Sequence, residues 1–138
     1  MARLAVINAV EDRLTALWDK CPVVGVIRKD ARPDESASFL VVQYLATGTG
    51  RPTVSDRYYV EEGGIRFVLL MTRDESPAAM MQWADDLADL FRDKSFDGVR
   101  CLRPTSPFID DSNDEGNFYS LSIVAPYEFH FRDEEPSP

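Results

Sequence analysis

The sequence is short of the residues from which many active sites are assembled. It has a single histidine, His130, and two cysteines, Cys21 and Cys101, among 138 residues. The cysteines are far apart and match no metal-ligand spacing, so they predict reduced, packed thiols of a cytoplasmic protein rather than a zinc site or a disulfide framework. Basic residues are also scarce, 15 against 24 acidic ones, for a net charge of −9. That deficit argues against binding DNA by phosphate neutralisation. The plain meaning of the excess acid is solubility. Its sharper meaning is a surface past which a polyanion slides without sticking. No apolar run nears the ~20 residues of a membrane helix, and Met1-Ala-Arg-Leu leads into a polar helix rather than reading as a signal peptide. No membrane partner is therefore expected.

What the chain does have is one strongly patterned stretch, Tyr58 to Thr72. Ile65, Phe67, Leu69 and Met71 share one parity and form one buried strand face. Arg66, Val68, Leu70 and Thr72 share the other, which is too apolar for a face in water. Such a strand is central, or its second face meets another subunit. Gly63 and Gly64 before it suggest a bulge or bend.

Around this strand the chain reads as one domain over residues 1–132, with an acidic, proline-containing tail over 133–138 that predicts disorder. Leu4 to Lys20 has the spacing of an amphipathic helix, with Val6, Ile7, Val10, Leu14, Leu17 and Trp18 on one face, ended by Pro22. Val23 to Ile27 is a short apolar run, and Phe39 to Ala46 a strand. Ser76-Pro77 is a helix start, a hydroxyl N-cap followed by proline at the first position. That helix is predicted to reach Lys94, with Met80, Trp83, Ala84, Leu87, Leu90 and Phe91 inward. Asp97-Gly98 turns the chain into a third strand, Val99 to Arg103. The last strand keeps Tyr119, Leu121, Ile123, Ala125, Tyr127, Phe129 and Phe131 on one side, while His130 points the other way as a surface residue. Pro126 cannot donate to a ladder, so the strand should bend or lack a partner there.

Several motifs invite chemistry and are set aside. Thr47 to Arg57 carries two glycines but lacks the Gly-Lys-Ser/Thr ending and following helix of a phosphate loop. Asp85 and Asp89 lie one helical turn apart, yet no histidine or cysteine joins them, and a solvated helix face is the simpler account. Asp111-x-Asn-x-Glu-Gly resembles half a calcium loop, but the position of the bidentate glutamate is Ser122. No cofactor, metal or catalytic residue is expected.

The element order, helix–strand–strand–helix–strand–strand, predicts an α+β fold. Its sheet would be four-stranded and mainly antiparallel, in the order 1-2-4-3, with two helices on one face. That order, with Glu11-Asp-Arg-Leu, Phe39-Leu-Val-Val, Gly64-Ile-Arg-Phe-Val-Leu-Leu-Met, Ala84-Asp-Asp-Leu-Ala-Asp-Leu-Phe, Phe96-Asp-Gly-Val-Arg-Cys and the run from Asn117 to Phe129, resembles the tail terminator family of long-tailed phages and prophages. The likeness spans nearly the whole chain. It departs at Arg73-Asp-Glu-Ser-Pro, where members often carry a glycine-rich Ala-Pro turn, and at Ser120-Leu-Ser-Ile, where they often carry Val-Pro-Val-Ser. The resemblance implies a virion protein without catalysis, assembled in the host cytoplasm. Six copies would form a ring on the major tail tube protein, end tube growth and offer a surface to the head–tail connector protein, while DNA passes through the lumen without specific binding. A head–tail joining protein of the same virion, or a small ligand-binding α+β domain, are the alternatives. The long polar loops Thr47 to Arg57 and Asp110 to Glu115 are the expected contact segments. Within them and at their margins, Arg51, Arg57, Tyr58, Asp110, Asp111 and Asp114 are the expected contact residues, since Arg and Tyr are enriched in interfaces and Arg pairs bidentately with carboxylates.

Overall fold

A computed structural model describes residues 3–27, 38–50, 58–72, 76–106, 108–110 and 118–132. In chain order the elements are α1 (Leu4–Leu17), β1 (Val23–Val24), β2 (Phe39–Gly50), β3 (Tyr58–Thr72), α2 (Pro77–Phe91), β4 (Ser95–Phe96), β5 (Val99–Cys101), β6 (Phe108–Asp110) and β7 (Phe118–Arg132).

The strands form one seven-stranded sheet in the order β1-β2-β3-β7-β5-β4, with β6 pairing beside β5 along the same edge of β7. This corrects the expected four-stranded sheet. The sheet is also mixed, because β1 runs parallel to β2 while the other pairs are antiparallel. The physical reason for the miss is length. β1, β4, β5 and β6 are two or three residues each, too short to show an alternating pattern, and tertiary pairing alone makes them strands. The expected loop from Thr47 is corrected at its start: β2 continues to Gly50, so Gly48, Thr49 and Gly50 pair with Glu62, Glu61 and Val60. The bulge lies in β2, between Ala46 and Gly48, and not in β3. Gly63 is small for another reason. A Cβ there would stand 2.7 Å from the Leu45 carbonyl oxygen and 2.9 Å from the Tyr127 ring. At Pro126 the ladder stays in register with Gly64, and its carbonyl accepts from the Leu102 amide at 2.8 Å. Its missing N–H points to that same side, where β5 has already ended.

Both helices pack on one face. Val6, Ile7, Val10 and Leu14 of α1 and Met80, Ala84, Leu87 and Phe91 of α2 join Leu40, Val42, Ile65, Phe67, Leu69, Met71, Leu121, Ile123 and Ala125 in one core. At about 1.5–3 kcal/mol per fully buried large side chain, this cluster is the main source of stability. The helices stop earlier than their patterns suggest. Trp18 leaves α1 in an extended conformation and meets Trp83 edge-on, the ring centroids 6.2 Å apart. Arg92 does the same for α2, whose start has the predicted cap: the Ser76 hydroxyl accepts from the Ala79 amide at 3.1 Å. Arg13 ties the two helices, donating from Nε to the Leu90 carbonyl at 2.7 Å. The Asp97-Gly98 turn between β4 and β5 has both residues at positive φ, 48° and 85°, the geometry of a two-residue hairpin.

Candidate functional site: an open sheet face

The face of the sheet turned away from the helices has no helix over it among the described residues. Strand register sets out its rows. Leu45, Gly64 and Pro126 stand side by side, then Gln43, Arg66 and Val124, then Val41, Val68 and Ser122. Leu45 is 46 % exposed, and Val41, Val68, Leu70 and Val124 are half-buried. Phe39, on the same face, is buried. The middle of the face is thus aliphatic, with the exposed Arg66 among the aliphatic side chains. Beyond it the face turns charged: Glu62 faces Glu128 across the ladder, and Arg100 binds Glu128 at 3.2 Å. His130 is exposed, as expected, with Nε2 3.8 Å from the Glu128 carboxylate. A shallow hollow of about 270 Å³ lies here, between Glu62, Gly63, Leu102, Pro126, Tyr127 and Glu128.

Among the described residues the helix side holds two buried carboxylates, and both have structural partners. Glu11 accepts from the Val26 amide at 3.1 Å, the Ile27 amide at 3.0 Å and the Tyr44 hydroxyl at 2.8 Å. Glu61 accepts from the Tyr127 hydroxyl at 2.8 Å and the Arg3 amide at 3.4 Å. Burial, then the hydrogen bond to a carboxylate, pushes the Tyr44 and Tyr127 hydroxyls well above the ordinary tyrosine range. Burial likewise pushes the Cys101 thiol up to about 12, so it stays protonated and unreactive at neutral pH. Cys21 and Cys101 are not joined in a disulfide. Among the described residues no group of three His, Cys, Asp or Glu could hold a metal. Asp85 lies exposed on the outer side of α2, and Asp89 pairs with Arg92.

Of the residues expected at contacts, Tyr58 and Asp110 fall within the described strands, in rows far apart. Tyr58 opens β3 opposite Arg132, while Asp110 closes β6 opposite Ser120, which itself faces Leu70. Twelve residues of β3 separate these rows, or about 40 Å along an extended strand. The chain between β2 and β3 therefore leaves from one end of the sheet, and the chain between β6 and β7 from the other. Arg51, Arg57, Asp111 and Asp114 lie outside the described residues, as does the tail over 133–138. Sequence reasoning named none of Leu45, Val41 or Val124 for the open face, although the parity of Val68 and Leu70 in β3 pointed to it.

No family model and no curated protein matches the chain. Twelve solved chains match its fold. One of them, whose name is a bare sequence identifier, has a TM-score of 0.62 and 21 % identity over 97 % of this chain and 99 % of its own. That likeness speaks to the fold.

Proposed function

We propose that the chain is a ring-forming structural protein of a phage tail, capping the tail tube, stopping its growth and presenting a surface to the head. The observation that carries this reading is the open sheet face, whose aliphatic centre of Leu45, Val41, Val68 and Val124 suits contact with a protein surface better than contact with water. The sequence resemblance supplies the identity of the assembly. Departure of the β2–β3 and β6–β7 connections from opposite ends of the sheet fits a ring held between two different neighbours, the tube at one end and the connector at the other. The net charge of −9 fits a lumen that DNA traverses without being held.

The test is genetic. In particles produced without this chain, electron micrographs should show tails of uncontrolled, excessive length and heads without tails. Normal tails of uniform length, joined to heads, would contradict the reading. Normal-length tails left unjoined would move the role to head–tail joining.

A further inference from the structure

Two exposed residues of opposite charge, Arg66 and Asp85, stand on the two outer surfaces of the molecule, each beside an apolar side chain. On the open sheet face Arg66 is exposed at the centre of the aliphatic patch, and it makes no hydrogen bond or ion pair with the described residues. On the far side of the molecule, the outer face of α2 presents Met81, 39 % exposed, and Asp85, also exposed, one helical turn apart. The other acids there have cations: Asp86 binds Lys20 at 3.2 Å, Asp89 pairs with Arg92, and Asp93 lies 3.8 Å from Arg103. Asp85 has none among the described residues. A helical turn sets Met81 and Asp85 roughly 5–6 Å apart at Cβ. Arg66 and Val68, two residues apart on β3, stand roughly 7 Å apart.

The geometry points to a head-to-tail contact between copies of this chain. The open sheet face of one copy seats on the outer face of α2 of the next, with Arg66 against Asp85 and Met81 on Val68. This rests on the ring-forming reading above and names its two surfaces. A two-fold contact between open sheet faces is the competing arrangement. It would bring the central Arg66 of each copy towards the other and leave both Asp85 carboxylates outside. Because the sheet face and α2 lie on opposite sides of a two-layer molecule, the contact repeats from copy to copy. It closes into a ring when the angle between neighbours allows.

Charge reversal tests the contact. Arg66→Glu and Asp85→Arg are changes at exposed positions, so circular dichroism should match the wild type. In sedimentation equilibrium each single variant should need roughly tenfold more protein for half-assembly, the size of effect expected for a charge pair within an interface. The double variant should return to within about threefold of wild type. An equimolar mixture of the two single variants should also assemble, in alternation, since every contact then joins either the two reversed positions or the two native ones. A wild-type chain that stays monomeric at every concentration, or single reversals that leave assembly unchanged, would overturn the contact. So would reversals that weaken assembly without recovery in the double variant and the mixture. Tail length reads the capping role separately: assembly that follows the charges while particles lacking the chain have normal tails would keep the contact and remove the cap.

Discussion

Glu11 is 3 % exposed and has the partners a buried carboxylate requires. It holds the chain just after β1 by two amides and holds β2 by the Tyr44 hydroxyl. Gly25 makes room for it, since a Cβ there would lie 2.4 Å from Oε1. Glu11→Ala strands these three donors and should cost about 2–4 kcal/mol. Gly25→Ala alone should also destabilise, because a carboxylate fixed by three hydrogen bonds has little room to retreat. In the Glu11→Ala background Gly25→Ala should be nearly neutral, because the group it strikes is gone. Urea midpoints of the four proteins check this; strictly additive costs would contradict it. The residue was legible in principle. Glu11 stands four after Ile7 and three before Leu14, on the apolar stripe of α1, and Glu61 shares the parity of Ile65 in β3. A charge on a buried face signals a buried partner, here Tyr44 and Tyr127. Nothing local in sequence names those two.

At the scale of elements, β3 and α2 carry the core. Phe67 of β3 and Phe91 of α2 meet with ring centroids 4.8 Å apart, and Leu87 is fully buried. Phe67→Asp or Leu87→Asp puts an unpaired charge among apolar side chains, at several kcal/mol, comparable with the whole stability of a domain. Both variants should be unfolded or insoluble, and a cooperative melt from either would contradict the core assignment. These two elements were legible because each is long enough to repeat its period several times: four alternate residues from Ile65 to Met71, and about three turns from Met80 to Phe91. The short strands were not legible. Val23–Val24 and Ser95–Phe96 cannot alternate, and only their pairing with β2 and β5 defines them. The parallel sense of β1 was equally hidden, since it depends on how the chain returns to β2 rather than on which residues β1 contains. The bulge at Ala46 and Gly48 left a pattern that resembled a loop, and so β2 read four residues short.

At the scale of the whole molecule, one sheet face is covered by two helices and the other is left with an aliphatic centre. Its residues are ordinary strand formers, and only assembly of β2, β3 and β7 in register brings Leu45, Val68 and Val124 together. The charged rim at Glu62, Glu128 and Arg100 ends the patch on one side, which limits what can sit there and in what orientation. The most direct measurement is the tail-length distribution of particles made with a Leu45→Asp, Val68→Thr double variant. Leu45 is 46 % exposed and Val→Thr preserves shape, so the purified variant should keep the wild-type circular dichroism and melt cooperatively. Tails should nevertheless be overlong and unjoined, as in the absence of the chain. A folded double variant that supports tails of normal length on normal heads would contradict the account.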